Sequence, residues 1–337
     1  MRTTLIGASA AALLAGTVHA QELEVVNFGI ISTESAQALQ ESFDPFIADM
    51  SEFMGVEVKP FFAPDYAGVI EGMRFDKVDV AWFGNKSAME AVDRAGGEIF
   101  AQTIKDDGSE GYYSLLIAHV DSPINSLEDV LASCSEQSLD FGNGDPNSTS
   151  GFLVPSYYVF ALNSVTPQDC FANVTTANHE TNAMAVANQQ VDVATNNTES
   201  LYARLAQSQP DAAAKIKEVW RSPLIPSDPM VWRANLPQDV KEQMLYFFLQ
   251  YGRFGDMEKV AHEREVLANL SDGWGPFLMS SDLQLIPIRQ LELFRNKVRI
   301  ENDDTISDAD KKAEIDAIDA QLAELAALQE VVAVVGN

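Results

Sequence analysis

Apolar and polar positions along this chain follow two periods that take turns. Short apolar runs at 23–31, 56–62, 78–82, 99–104, 113–120, 139–141, 174–176 and 191–195 read as strands. Between them apolar residues recur every three or four positions, at 36–53, 66–74, 86–95, 127–132, 152–163, 181–188 and 198–207, which reads as helix. Such alternation predicts an α/β protein with parallel-rich sheets, whose ligands bind beyond the carboxyl ends of the strands. After Pro226 the pattern is helical only, at 239–251, 257–267, 282–295 and 309–334. The last segment carries an apolar stripe, Ile315, Ile318, Leu322, Leu325, Leu328 and Val332, which fits packing on its own domain or on a second copy.

The predicted strand ends carry polar clusters: Ser32-Thr33, Ala63-Pro64-Asp65-Tyr66, Gly84-Asn85, His179-Glu180 and Asn196-Asn197-Thr198-Glu199. One more is the most informative stretch of the chain. The strand 139–141 runs into Gly142-Asn143-Gly144-Asp145-Pro146-Asn147, and Ser148, Thr149 and Ser150 then open the next helix. A helix start presents unpaired N–H groups and a partial positive charge, so an oxyanion is held there without a metal. One hydroxyl at that place is an ordinary N-cap. Three in a row, behind a glycine-rich turn, point to a tetrahedral anion.

Charge sharpens this reading. The chain has 22 basic and 50 acidic residues, a net charge of −28. Such a surface repels nucleic acid and anionic lipid, so neither is an expected partner. It repels a small anion too, and the field that binds one must come from aimed local donors. The N-terminus reads as an export signal over 1–20: Arg2, an apolar run at 5–16, and Val18-His19-Ala20 as the cleavage site. No Cys stands at the expected mature N-terminus, so a soluble periplasmic protein is expected rather than a lipoprotein. The cysteines are Cys134 and Cys170, each shortly before a predicted strand. If those strands are parallel neighbours joined by the helix after Ser150, both cysteines lie at one sheet edge and a disulfide is expected; two buried thiols are the alternative.

Catalytic chemistry is poorly represented. No clustered metal ligands, glycine-rich dinucleotide fingerprint or phosphate-loop lysine occurs, so neither metal nor cofactor is expected. Ser148 and Ser150 with His179 would suggest a nucleophile, but Asn-Ser-Thr-Ser-Gly is not a nucleophile elbow. His179 fits either a structural role or an extra donor to a helix-bound anion. Tyr66 and Tyr112 are wall residues or further donors. Glu199 and Asp228 are surface groups taken singly. Together, in a cleft for an anion, they describe a zwitterion's amine end.

These residues carry a resemblance. Asn27-Phe28-Gly29-Ile30-Ile31-Ser32-Thr33-Glu34-Ser35, Phe61-Phe62-Ala63-Pro64-Asp65-Tyr66-Ala67-Gly68, 87–95, 141–155, His179-Glu180-Thr181-Asn182-Ala183, 191–199 and Ser222-Pro223-Leu224-Ile225-Pro226 resemble the periplasmic phosphonate-binding proteins of phosphonate ABC importers, those favouring 2-aminoethylphosphonate. The similarity runs from about Val26 to Arg295. It implies a two-lobed periplasmic binding protein of type II, non-enzymatic, that delivers its ligand to a membrane permease. The implied lobes are 21–118 plus 228–337, and an inserted 119–227. Tyr66, Tyr112, Ser148, Thr149, Ser150 and His179 match the family's phosphonate contacts, Glu199 and Asp228 its amine-facing carboxylates. The family pairs as a homodimer through C-terminal helices, where this chain diverges, and the two cysteines look particular to this sequence. Alternatives are a receptor for another small oxyanion (a phosphate ester, phosphite or alkylphosphonate) and a phosphonate-processing hydrolase.

Overall fold

A computed structural model describes residues 23–271 and 273–335; the expected export signal lies outside them. Its strands, in chain order, are β1 (Val25–Ile30), β2 (Glu57–Phe62), β3 (Val80–Trp82), β4 (Gly97–Gln102), β5 (Gly111–Tyr112), β6 (Ser114–His119), β7 (Asp140–Asn143), β8 (Asn173–Thr176), β9 (Val193–Asn197), β10 (Ile216–Arg221), β11 (Ile225–Pro226), β12 (Pro229–Arg233) and β13 (Leu278–Met279). Among the described residues they form two sheets, ordered β13-β4-β12-β3-β1-β2 and β10-β6-β9-β7-β8, and a ribbon of β5 with β11. Each sheet with its helices is one lobe, and the ribbon joins them.

The sheets are mixed. β1 lies parallel to β2 and β3, and β7 to β8 and β9, as the alternation predicts. β6, β10, β12 and β13 pair antiparallel. β6 and β12 enter their sheets straight from the crossings between lobes, with no helix to restore direction. β10 and β12 are not among the predicted strands, for the same reason. β6 belongs to the second sheet, so the chain crosses through β5 and not at His119, where the lobe boundary is expected.

Burial follows the periods. The helix Ala36–Met54 turns Leu39, Phe43, Phe46, Ile47 and Met50 onto the first sheet, with Ser35 capping its start and Gly55, at φ 69°, its end. Phe43 stacks on Trp82 with ring centroids 5.6 Å apart. The second sheet is covered on both faces, which explains the unbroken apolar run of β6. Leu116 and Ala118 join Phe141, Phe160 and Phe171 on one side, while Leu115 and Ile117 join Val186 and Leu201 on the other. On the first of these faces Cys134 and Cys170 form a disulfide, and the neighbouring β7 and β8 are parallel as expected.

The helix Asp308–Val335 lies along Ile286–Glu301, with Lys297 bound to Asp319 at 2.6 Å. Ile318 is buried and Ile315, Leu322 and Leu325 are half-buried, whereas Leu328 and Val331 are exposed. The first half of this stripe packs on its own domain.

Candidate functional site

Between the lobes, at the carboxyl ends of β1, β3, β7 and β9, the chain encloses a cavity of about 20 Å³. Tyr66, Tyr112, Ser148, Thr149, Ser150, His179, Glu199 and Asp228 all line it. Eight residues selected from the sequence thus meet at one place. The free space there is small, as in a closed arrangement of the lobes.

The hydroxyl cluster is built by a close backbone approach. Gly144 N–H donates to Gly151 C=O at 3.0 Å, and a Cβ on Gly144 would lie 2.4 Å from that oxygen. This folds the turn back on the helix start. Ser148 is extended and caps the first turn, its Oγ accepting from Gly151 N–H at 3.0 Å. That turn is wide-wound, with Leu153 N–H donating to Ser148 C=O at 3.1 Å, a geometry frequent at functional sites. Thr149 Oγ1 accepts from Lys86 N–H, across the cleft, at 2.8 Å. Ser150 Oγ accepts from Asn197 Nδ2 at 3.2 Å. Each of the three hydroxyls accepts from an N–H group and keeps a proton to donate.

His179 begins the helix His179–Ala187 and lies with Nε2 3.5 Å from Ser148 Oγ. Burial, reinforced by the Arg204 guanidinium, pushes its pKa down to about 3. It is a neutral donor at ordinary pH. Nδ1 has no hydrogen-bond partner among the described residues. Tyr66, at the start of Tyr66–Arg74, is pushed far above the usual phenol range by burial and by Asp145 and Asp228. It therefore stays protonated.

Two carboxylates line the same cavity. Asp228 precedes β12 and accepts from Trp82 Nε1 and from the Tyr112 hydroxyl, both at 3.1 Å. Its backbone carbonyl accepts from Thr103 N–H at 2.9 Å. Glu199 is half-buried before the helix Ser200–Leu205. Burial, Asp228 and Glu199 together hold the Tyr112 phenol well above its usual range. Tyr112 is thus a partner of Asp228, although the resemblance put the two at opposite ends of the ligand. A phenol beside a buried carboxylate takes the charged acceptor.

Ile31, Thr33, Trp82, Gly84, Asn197 and Arg204 complete the lining. Thr33, Gly84 and Asn197 lie in strand-end clusters visible in the sequence, but Arg204 is in mid-helix and has no local signal. Its guanidinium is paired with Glu34, whose carboxyl burial pushes above the usual range and Arg204 pulls back. No group of His, Cys, Asp and Glu among the described residues is arranged to hold a metal ion.

Known proteins are similar to this chain over most of its length. The signature of the family described as ABC transporter, phosphonate, periplasmic substrate-binding protein matches residues 28–283. The phosphonates-binding periplasmic protein of Escherichia coli is 55% identical over 313 residues, covering 93% of this chain and 89% of that one. A crystal structure of a binding-protein component of an ABC phosphonate transporter from Pseudomonas aeruginosa superimposes with a TM-score of 0.86 at 55% identity, covering 91% of this chain and 98% of the other. The phosphate-import protein of Mycolicibacterium smegmatis is 29% identical over 236 residues, 67% of this chain and 72% of its own length. With its two lobes, enclosed interlobe site and match over most of its length, the chain belongs to the periplasmic phosphonate-binding proteins of ABC transporters, which are receptors and not enzymes.

Proposed function

We propose that this receptor captures 2-aminoethylphosphonate and presents it to the permease of its importer. What supports this reading is that one cavity is lined by two unlike sets of groups: three hydroxyls and a neutral imidazole, and the carboxylates Glu199 and Asp228. Ser148, Thr149, Ser150, His179 and Tyr66 would hold the phosphonate. Glu199 and Asp228 would accept from the ammonium, with Tyr112 orienting Asp228. An anion without an amine meets two carboxylates that closure desolvates. Contacts come from both lobes, so a ligand that satisfies both ends favours the closed state by its differential affinity. The permease would read that closed shape. Export by the N-terminal signal, without a lipid anchor, belongs to the same reading.

The test is selectivity. Titration calorimetry should compare 2-aminoethylphosphonate, ethylphosphonate, phosphate and phosphite on wild type and on Glu199→Gln, alone and with Asp228→Asn. Trp82 and Tyr112 both donate to Asp228, so Asn there leaves one donor facing an amide and lowers all affinities alike. The ratio between ligands is therefore the readout. The preference for 2-aminoethylphosphonate over ethylphosphonate should fall on the order of a hundredfold in the double variant. An unchanged ratio means the carboxylates are structural. Wild-type preference for phosphate or phosphite would make this a receptor for a simpler oxyanion.

A further inference from the structure

Arg204 stands at the edge of the cavity on the second lobe, yet its guanidinium reaches the first. Nε pairs with Glu34 Oε1, and Nη1 donates to Ser271 Oγ at 2.5 Å. One side chain thus holds two first-lobe segments that are remote in sequence. Glu34 follows β1 and directly precedes Ser35, the cap of Ala36–Met54. A second grip closes on the same loop. Glu180 Oε2 accepts from Ser35 N–H at 2.8 Å, and Glu180 N–H donates to Thr33 C=O at 3.4 Å. Glu180 directly follows His179, so the residue that lines the cavity and the residue that grips the opposite lobe share one helix start. The Arg204 and Glu34 side chains are only 13% and 10% exposed.

We propose that Glu34 and Arg204, assisted by Glu180, form an interlobe latch that sets how slowly bound ligand leaves. The pair is made between lobes, so it exists only when they are together. Its ligand, though not its geometry, rests on the phosphonate reading above. A buried ion pair gains little over the same charges in water, but a lone buried charge is strongly unfavourable. Reopening must part the charges before water reaches both, and this weighs on dissociation more than on association. The contrasting role for Arg204 is direct anion binding, with Glu34 as a competitor for the guanidinium. The two roles give opposite signs when Glu34 loses its charge.

The experiment is stopped-flow fluorescence on the full chain, with Trp82 in the cavity wall as reporter and 2-aminoethylphosphonate and methylphosphonate as probes. Glu34→Gln should raise the dissociation rate for both probes about tenfold or more, with association changed by less than about threefold. Arg204→Gln should match it, the double variant should be no worse than either single one, and Glu180→Gln should have a smaller effect of the same sign. Slower release or tighter binding in Glu34→Gln overturns the latch in favour of direct anion binding, and unchanged rates overturn it outright. If neither probe binds wild type, the phosphonate reading fails, and small-angle scattering of the unliganded proteins decides the latch. A larger radius of gyration for Glu34→Gln than for wild type supports it, and equal values overturn it.

Discussion

The Tyr112 hydroxyl donates to Asp228 Oδ1 at 3.1 Å, which ties the ribbon between the lobes to the carboxylate that opens β12. On the proposed reading, Tyr112 acts at the amine end of the ligand. Tyr112→Phe should weaken 2-aminoethylphosphonate by roughly 1 kcal/mol, the usual net value of one hydrogen bond, and leave ethylphosphonate nearly unchanged. Parallel loss for both ligands in calorimetry would return Tyr112 to the phosphonate.

Thr149 has two tasks. Its Oγ1 accepts the Lys86 amide across the cleft, and its proton is available to an anion. The Lys86 side chain is itself locked to Glu90 and Glu292, so the amide is rigidly presented. Thr149→Ala should weaken every phosphonate by a similar factor, roughly 1.5–3 kcal/mol, whereas Thr149→Ser should keep most of the affinity. Unaltered binding by Thr149→Ala would remove the helix start from the site.

His179 makes stability depend on pH. The unfolded chain takes up a proton there near pH 6.5 and the folded chain only near 3. Between these values unfolding binds a proton, so stability falls as pH falls, at about 1.4 kcal/mol per unit. Burial pushes the Glu34 carboxyl up, which acts in the opposite sense. Comparison with His179→Asn cancels that contribution. Urea midpoints measured from pH 7 to pH 4 should show the wild type losing stability faster than the variant, and parallel curves would contradict a neutral buried imidazole.

The disulfide closes a sequence separation of 36 residues, and its cysteines precede β7 and β8, whereas the cavity lies beyond the carboxyl ends of the strands. Reduction, or Cys134→Ser with Cys170→Ser, should lower stability by roughly 3–4 kcal/mol through the freed chain entropy. Ligand affinity should stay within about threefold of the native value, because the cavity wall contains neither cysteine. A large affinity loss at low temperature, where the variant is still folded, would mean that the bond shapes the cleft.

Much of the site was legible because its signals are local. Ser148, Thr149 and Ser150 announce themselves as consecutive hydroxyls after a glycine turn, and His179 and Glu199 fall at predicted strand ends. The parallel core β1-β2-β3 and β7-β8-β9 follows from strand–helix alternation alone. β10 and β12 were not legible, because antiparallel strands placed directly at a crossing break that alternation. Arg204 was not legible either. Its meaning depends on Glu34 and Ser271, which lie far away in the chain and meet it only when two lobes come together.

Apart from the Arg204 guanidinium, which is paired with Glu34, the donors in the cavity wall are uncharged: hydroxyls, an amide, an indole and an imidazole held neutral. Around them lies a chain of net charge −28. Short-range dipoles inside an enclosed site are barely touched by dissolved ions, while the repulsion outside fades beyond a Debye length of roughly 8 Å at physiological ionic strength. An anion approaching this protein is thus deflected in dilute buffer and let through in brine, the reverse of electrostatic steering. Salinity governs how often ligand meets the cleft, and hardly how firmly the cleft then holds it.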